Sequence, residues 1–545
     1  MVRIVFTNGR VYAATGSHQA KNANFETSIV VDNSEISFVG NSNNAFIRKS
    51  IEDGASVIDL QNRIVVPGLI EAHTHFMLFG MWLRKLDISH CKSLQEIQSA
   101  ISEYAKAHPE LPRLLCRGWH QSMTNGVALA AHLDDIDPRP IFIESEDLHS
   151  TWCNTAALEE VPLENIGEAD SPSTIPRDAR GNPTGLLAEM AHFTLVCPHK
   201  VAVMTMEEKV SVLEAFFDLY VCSGYTGAID LAMDAPHWEA LQEYRKQKEI
   251  PIHIAAHWLI ANGCTREELV RRVDEAIELH QRWHPSKDPE FCIVGIKLIL
   301  DGVVDGCTAA ASDPFPGHNA VVPPIWDSDE VNLVLKRASD AGLQCAIHAV
   351  GDVAITQAIN AIEYANGKGK RHRLEHIEFP SADDLKRIGE LEITASIQPG
   401  HCDPFTVRSY PQLVGPRLWN RAFPYKKFLD NDAVLAIGTD APSASYLPMP
   451  TLYTATTRKS ARDPKLTAQT HADQALALAQ AIHAFTAGAA YSRRAETWSG
   501  SLSAGMRADF IVLDAEWEAE KLLDAKVIQT WSKGTKVFQA EGYNQ

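Results

Sequence analysis

The chain has 545 residues, of which 45% are hydrophobic and 22% are charged. These fractions are typical of a globular protein with more than one domain and exclude a disordered or collagen-like chain. Fifty Lys and Arg residues against 69 Asp and Glu residues give a net charge of −19, so we expect neither nucleic acid nor a membrane surface as a partner.

The ten cysteines are spread singly along the chain without a Cys-x-x-Cys pair. Isolated thiols in apolar runs such as 343–347 are typical of reduced, buried cysteines and not of disulfides or a zinc finger. The N-terminal segment lacks the apolar stretch of a signal peptide, and no segment is apolar enough to span a membrane. These features predict a cytoplasmic protein.

Both ends of the chain are rich in short β-type runs separated by turn residues. The runs are 4–6, 28–31 and 36–39 at the N-terminus and 509–513, 527–531 and 536–539 at the C-terminus. Short strands divided by Asn-Gly, Asp-Asn and Gly turns pair readily with one another. We therefore predict that residues 1–62 and 492–545 together form a small β-sandwich domain.

Between the two ends, strand-like apolar runs alternate with helical stretches such as 267–281, 328–340 and 471–490. This alternation is typical of a parallel sheet with crossover helices. Eight runs are β-rich and end in polar residues: 65–71, 226–230, 252–257, 293–300, 343–348, 372–376, 393–398 and 434–440. Because a (β/α)8 barrel needs eight strands, we predict an α/β protein with a TIM barrel over residues 63–491.

The gap of about 150 residues between the first two runs is too long for one crossover connection. It predicts a large insertion after the first barrel strand, at about 80–215. The Pro- and Gly-containing stretch 162–185 and the run 140–144 indicate a loop-rich subdomain over one end of the barrel.

Ionisable side chains follow several of these runs. His73 and His75 follow the first run, and residues two apart on a strand project from the same face, so both imidazoles can bind one ion. His348 and His376 close two later runs, and Asp440 closes the last. Each histidine alone is more often structural, but together they lie where a barrel places its active site, at the C-terminal strand ends.

Further charged residues lie in or beside the same runs. Lys297 interrupts an apolar run, and such a lysine is rarely buried unless it is paired or lies beside a metal. Asp230 and His257 also close strands, and we interpret them as core or supporting residues. Asp301 and Asp352 are adjacent to glycines and are predicted to stabilise loop turns.

Several motifs follow one another along nearly the whole chain: 66–69, His73-x-His75, Lys297 with Asp301-Gly302, 347–352, 373–376, Gln398-Pro399, 438–442 and 500–513. With them, the chain resembles the amidohydrolase superfamily, and within it the YtcJ-like branch of metal-dependent hydrolases that includes N-substituted formamide deformylases. One departure is Glu71, where the family usually has Asp. Since a carboxylate remains, we expect little consequence.

The resemblance implies a metal site with one or two divalent ions, above all Zn²⁺. In it, His73 and His75 resemble ligands of a first ion, and His348 and His376 resemble ligands of a second. Asp440 resembles the metal-bound carboxylate that takes a proton from the nucleophilic water.

Lys297 resembles the bridging lysine of the superfamily, which acts after carbamylation by CO₂. A carbamate presents two oxygens to two cations, whereas an ammonium has no acceptor. The alternative is a free Lys297 amine beside a single metal ion.

Candidate substrate contacts come from segments that resemble those covering the pocket in the family. They are His120 in segment 117–120, His149 and Trp152 in segment 147–152, and His401 after Gln398-Pro399-Gly400. The alternative for the residues of the insertion is that they pack its interior.

The resemblance implies a hydrolase that cleaves a non-peptide C–N bond, of amide or N-formyl type, in a small-molecule substrate, and we expect a homodimer. Two alternatives stay open: deamination or decarboxylation with one metal on the same scaffold, and a non-catalytic scaffold protein. The chain has no phosphate-loop, dinucleotide-binding, zincin or serine-hydrolase motif, so those mechanisms have no support.

Overall fold

The structure is a computed structural model that describes residues 2–146, 148–169, 171, 174–263 and 265–543. Asp147 and Cys264, which entered the sequence interpretation, lie outside these residues. The chain divides into two compact units. The first comprises Met1–His75, Phe217–Asp234 and Glu249–Gln545, and the second comprises Phe76–Phe216 and Ala235–Lys248.

The largest sheet of the first unit has eight parallel strands in chain order. They are Leu69–Thr74, Tyr225–Met233, His253–Leu259, Phe291–Ile299, Gln344–Ala349, Arg373–His376, Thr394–Ile397 and Leu435–Ile437. The segment after the eighth strand returns to the first, because the Asp440 N–H donates to the His73 carbonyl at 2.7 Å. The predicted (β/α)8 barrel is confirmed.

The prediction of one strand over 65–71 is wrong, because this run contains two strands of different sheets. Ile64–Pro67 pairs antiparallel with Phe510–Asp514, and only Leu69–Thr74 belongs to the barrel. Gly68 separates them, and a Cβ on Gly68 would lie 2.1 Å from the Thr226 hydroxyl oxygen. The close approach of Thr226 thus requires a glycine at the point where the chain changes sheets.

The first unit contains helices between its barrel strands and after the last of them. They are Arg266–Arg282, Ser328–Asp340, Asp352–Tyr364, Ala382–Glu390, Tyr410–Trp419, Tyr425–Asp430, Pro448–Thr457, Leu478–Phe485 and Ala487–Tyr491. The helices predicted over 267–281 and 328–340 are confirmed. The helical stretch predicted over 471–490 is confirmed in part: it contains two short helices, and Thr486 between them has non-helical dihedral angles.

Both chain ends contribute to two further sheets of the first unit. In sheet order, one has Glu35–Gly40, Ser28–Asp32, Arg3–Thr7 and Ser56–Asp59, and the other has Thr535–Gln539, Lys526–Ser532, Phe510–Asp514, Ile64–Pro67, Arg10–Tyr12 and Phe25–Glu26. Their shared core includes Phe6, whose ring lies edge-on to Phe510 at 5.0 Å and to Trp531 at 4.9 Å. The formation of a small β-sandwich by both chain ends is confirmed, but its strand Ile64–Pro67 lies beyond the predicted segment 1–62. Helix Ala45–Glu52 belongs to the same region.

The second unit contains a five-stranded sheet of its own, which corrects the expected loop-rich subdomain. Its strands are Leu186–Ala188, Ser150–Cys153, Ile141–Ser145, Leu114–Trp119 and Leu86–Asp87. Its helices are Phe76–Leu83, Leu94–Ala107, Thr155–Glu160, Cys197–Ala202, Ala235–Gln247 and most of Met206–Cys222. The run 140–144 overlaps the central strand, Ile141–Ser145, whose side chains are buried on both faces. A strand buried on both faces is a continuous apolar run and lacks the alternation of a half-exposed strand.

A buried cluster of charges lies in the interior of this second unit. Glu144 forms ion pairs with both Lys85 and Lys200, and all three side chains are almost fully buried. Burial by itself would raise the pKa of Glu144, but the two ammonium groups outweigh it and hold that pKa well below its usual range.

The nine cysteines among the described residues carry free thiols, and six of them are buried, as expected. None of the helices in the described part of the chain combines the length and the apolarity needed to cross a membrane.

Candidate metal centre

Three predicted ligands converge at the C-terminal end of the barrel sheet. His73, His376 and Asp440 each bring one nitrogen or oxygen atom to within 4.8 Å of the others. His75 joins them, because its Nε2 lies 3.2 Å from Asp440 Oδ1. The first, sixth and eighth barrel strands therefore deliver one cluster of imidazoles around a carboxylate.

The Asp440 carboxylate lies between histidines on both of its sides. Its Oδ1 is 3.5 Å from His73 Nε2, and its Oδ2 is 3.5 Å from His401 Nε2. Burial alone would raise the pKa of Asp440, but the neighbouring imidazoles, above all His73, hold it well below its usual range. Asp440 has a left-handed φ of 60°, a conformation that costs free energy and is often found at functional sites.

The imidazoles of His73 and His376 are neutral at physiological pH. Burial lowers the pKa of His73 to about 4, and it lowers the pKa of His376 well below its usual value. Neutral imidazole nitrogens and a carboxylate are the donors that Zn²⁺ and similar divalent ions prefer. His376 Nδ1 is buried without a hydrogen-bond partner among the described residues, so the donor set fits a metal ion.

His348 and Lys297 lie beside this cluster. The His348 ring centroid is 4.3 Å from that of His376, and its Nε2 lies 3.2 Å from the Gly302 carbonyl oxygen. Burial lowers the pKa of His348 to about 3. Lys297 is almost fully buried on the fourth barrel strand, and burial lowers its pKa to about 8. Such an amine is readily deprotonated, and the neutral amine is the form that reacts with CO₂.

Glu71 joins the first barrel strand to the segment that follows the eighth strand, next to the cluster. Its Oε1 accepts the His73 N–H at 3.0 Å and the Thr439 N–H at 2.8 Å, and its Oε2 accepts the Thr439 hydroxyl at 2.7 Å. Gly438 makes this close approach of the two segments possible, since a Cβ there would lie 2.4 Å from the backbone nitrogen of His73. The Glu found in place of the usual Asp therefore has a structural function that the sequence did not reveal.

Sequence reasoning also gave no function to Arg373 and Glu375, which lie under His73. Glu375 Oε2 is 2.7 Å from His73 Nδ1, and Arg373 donates from its Nε and Nη2 to both oxygens of Glu375. Burial would raise the pKa of Glu375, but Arg373 and His73 hold it well below its usual range. The signal in the sequence was two charged residues inside a four-residue buried strand.

His401 and Gln398 line the cluster from the seventh strand. The His401 ring is stacked on that of His376 at 5.4 Å, and its Nε2 lies 3.3 Å from the Ser443 hydroxyl oxygen. Gln398 Oε1 accepts the His376 N–H at 3.1 Å. Of the four predicted substrate contacts, His401 is the one that lies at the barrel cluster.

The other three predicted substrate contacts belong to the second unit. His120 is exposed, and His149 Nδ1 lies 3.2 Å from Glu189 Oε2. Trp152 is completely buried and donates its indole N–H to the Leu129 carbonyl at 3.0 Å. These contacts place Trp152 in the core of the second unit, which is the packing alternative that the sequence left open.

The carboxylates predicted to stabilise loop turns instead connect segments that are distant along the chain. Asp301 accepts the backbone N–H groups of Ala310, Val350 and Gly351. Asp352 accepts the backbone N–H of Ser312 at 2.8 Å and a guanidinium N–H of Arg421 at 2.6 Å. Asp230 and His257 are buried, as expected for core or supporting residues.

A family model described as the amidohydrolase family matches residues 56–538 of the chain. The chain belongs to the amidohydrolase family. The match begins in the β-sandwich, spans the barrel and the second unit, and ends in the last strand of the six-stranded sheet. The resemblance stated from the motifs is therefore confirmed.

Relatives of this amidohydrolase align over most of its length. LONG AFTER FAR-RED 3 of Arabidopsis thaliana is 26% identical, over 98% of this chain and 91% of its own. YtcJ of Bacillus subtilis, which is named as a putative amidohydrolase, is 26% identical over 84% of this chain and 85% of its own. The N-substituted formamide deformylase of Arthrobacter pascens is 24% identical over 94% of this chain and 95% of its own.

The fold is also found in solved structures. A metal-dependent hydrolase of Pyrococcus horikoshii superposes with a TM-score of 0.78 at 21% identity, over 94% of this chain and 98% of its own. At this identity the likeness shows that the fold is shared.

Proposed function

We propose that this amidohydrolase is a metal-dependent hydrolase that cleaves a non-peptide C–N bond, of amide or N-formyl type, in a small molecule. The observation that carries the proposal is the convergence of two neutral, buried imidazoles and an ionised carboxylate within 4.8 Å at the barrel strand ends. The name of the relative from Arthrobacter pascens supports an N-formyl or related amide as the substrate class.

In this proposal, a divalent ion, above all Zn²⁺, is held by His73, His75 and Asp440. His376, which the resemblance assigned to a second ion, joins this first set because it lies within 4.8 Å of His73 and Asp440. His348 and Lys297 complete a second position if Lys297 is carbamylated, because the carbamate supplies two anionic oxygens. With a single ion, Lys297 stays a free amine. Metal content and the mass of the Lys297 side chain distinguish the two forms.

The ion, when bound, supplies Lewis acidity, which lowers the pKa of water and polarises a carbonyl group. Asp440 accepts the proton of the attacking water and returns it to the leaving nitrogen, so that one carboxylate serves as base and then as acid. The His401 imidazole faces Asp440 Oδ2 at 3.5 Å and orients that oxygen. Glu71 holds the backbone on both sides of the cluster, at His73 and Thr439.

We propose three substrate contacts: His120, His149 and His401. We also propose that the protein is a cytoplasmic homodimer. Alanine variants of His120 and His149 are expected to raise KM for the substrate more than they lower kcat, whereas His401→Ala should also lower kcat, because His401 orients Asp440 Oδ2. Light scattering of the purified protein checks the dimer.

Hydrolysis of N-formyl, N-acyl and cyclic amides by the zinc-loaded protein tests the proposal. We expect turnover that a chelator abolishes and zinc restores, with the fold retained in circular dichroism. Full activity in metal-free protein would overturn it. Product analysis separates C–N hydrolysis from deamination and decarboxylation, and a scaffold protein would turn over none of these substrates.

A further inference from the structure

A buried ion pair lies directly behind one of the proposed metal ligands. Arg373 and Glu375 are both completely buried, and they lie two residues apart on the sixth barrel strand. Glu375 Oε2 also accepts a hydrogen bond from His73 Nδ1–H at 2.7 Å, so that the ion pair continues into the imidazole of the first strand.

The contact with Glu375 decides which nitrogen of His73 carries the proton. An ionised carboxylate can only accept, so Nδ1 must be the protonated nitrogen of the neutral ring. The lone pair then lies on Nε2, which is the nitrogen that faces Asp440 Oδ1 at 3.5 Å. A neutral imidazole binds a metal ion through its unprotonated nitrogen, and the bond made by the other nitrogen selects the tautomer.

A second group competes for the same nitrogen. Gln398 Nε2 lies 3.4 Å from His73 Nδ1 and 3.2 Å from the Ser396 hydroxyl oxygen. An amide N–H can approach Nδ1 as a donor only if that nitrogen is unprotonated, which would move the proton to Nε2 and block it. The hydrogen bond to the charged Glu375 carboxylate is shorter and stronger than the contact with the Gln398 amide, so the proton stays on His73 Nδ1.

Arg373 keeps Glu375 in place for this task. Its Nε donates to Glu375 Oε1 at 2.5 Å and its Nη2 to Oε2 at 3.0 Å. The same Nη2 also lies 2.7 Å from the Ala72 carbonyl oxygen and 3.0 Å from the Ser396 hydroxyl oxygen, and Nη1 donates to the Ser492 hydroxyl oxygen at 3.2 Å. The carboxylate is thus fixed by an arginine that is itself bonded to the first and seventh strands.

We propose that Glu375 is a positioning residue that fixes His73 as the Nδ1–H tautomer and thereby directs Nε2 to the divalent ion. Arg373 is the residue that holds Glu375 in this orientation. The inference rests on the proposed function, since it requires that His73 binds a metal ion.

The test measures the zinc dissociation constants of the parent and of Glu375→Gln by competition with a chromophoric chelator. The Gln side chain has an amide N–H₂ in place of one oxygen, so it no longer secures a proton on His73 Nδ1. We expect zinc binding to weaken by about 10–100-fold, the usual effect of losing a partner of a ligating histidine. In metal-free protein labelled with ¹⁵N-histidine, the protonated nitrogen of His73, assigned with His73→Gln, should change from Nδ1 to Nε2.

Asp352→Asn is the matched control. Asp352 is a buried carboxylate that accepts a hydrogen bond from an arginine, as Glu375 does, but its partners are Ser312 and Arg421 and not the His73 ring. Both variants are expected to lower the unfolding temperature of metal-free protein, whereas only Glu375→Gln should change the tautomer and weaken zinc binding by this amount. Equal weakening in both variants would overturn the inference, because the loss would then follow the stability of the fold.

A second variant covers the case in which Glu375→Gln does not fold. Glu375→Asp keeps a charge for Arg373 but withdraws the carboxylate from His73 Nδ1 by one methylene, so zinc binding should again weaken. Parent-like zinc binding in this variant would overturn the inference. A parent protein that binds no zinc would instead overturn the proposed function, which keeps the two failures distinct.

Discussion

Asp440→Asn tests whether this carboxylate transfers a proton or only binds the metal ion. Its Oδ1 lies 3.5 Å from His73 Nε2 and 3.2 Å from His75 Nε2, whereas its Oδ2 faces His401. Asn has nearly the same shape, so its oxygen can keep the place of Oδ1 beside the two histidines while its amide nitrogen replaces Oδ2. The variant should retain the fold and most of the metal, but it has no basic oxygen for the proton of water.

We expect kcat to fall by about 10²–10⁴, the usual worth of a positioned acid–base group. This loss corresponds to about 2.7–5.4 kcal/mol of activation free energy, at 1.36 kcal/mol for each factor of ten. The pKa of Asp440 is held well below its usual range. The parent therefore works with an ionised carboxylate at neutral pH, and kcat of the variant should stay low over the whole pH range in which the metal ion is bound.

The assay combines kcat and KM as functions of pH with elemental analysis of the same samples. Asp352→Asn is the matched control, since it alters a buried carboxylate that holds a loop through Ser312 and Arg421, and it should keep kcat near that of the parent. If Asp440→Asn retains metal and turns over within a few-fold of the parent, the assignment is wrong, and His401, which faces Asp440 Oδ2, becomes the better candidate for the base.

Three further predictions address other parts of the molecule. If Lys297 is carbamylated, Lys297→Ala should lose the second ion in elemental analysis and should regain activity when short carboxylic acids are added. A parent protein that is fully active with one ion and an unmodified lysine would favour the mononuclear form. Glu144→Gln should destabilise the second unit by about 3–5 kcal/mol in denaturant unfolding, because both lysine partners lose their buried counter-ion; an unchanged midpoint would refute this. Gly438→Ala should abolish zinc binding, because the new Cβ would lie 2.4 Å from the backbone nitrogen of His73 and displace that ligand. Gly16→Ala is the control and should bind zinc like the parent, because its new Cβ would lie 3.9 Å from the Ala20 Cβ.

The sequence by itself was sufficient for features that depend on neighbouring residues. The two-residue spacing of His73 and His75 places both side chains on one face of a strand wherever that strand lies. Apolar runs that end in polar residues mark the strands of a parallel sheet, so their number predicts the barrel and their ends predict its site. For the same reason His376 and Asp440 could be found without a structure.

The tertiary structure decided every feature that joins distant parts of the chain. Glu71 and Thr439 are 368 residues apart, and no local pattern shows that one closes the barrel against the other. Glu375 is 302 residues from the imidazole that it contacts, so the sequence could show that a carboxylate lies in a buried strand but not which group it serves. A buried polar group must find a partner, and only the folded chain shows which partner lies within reach.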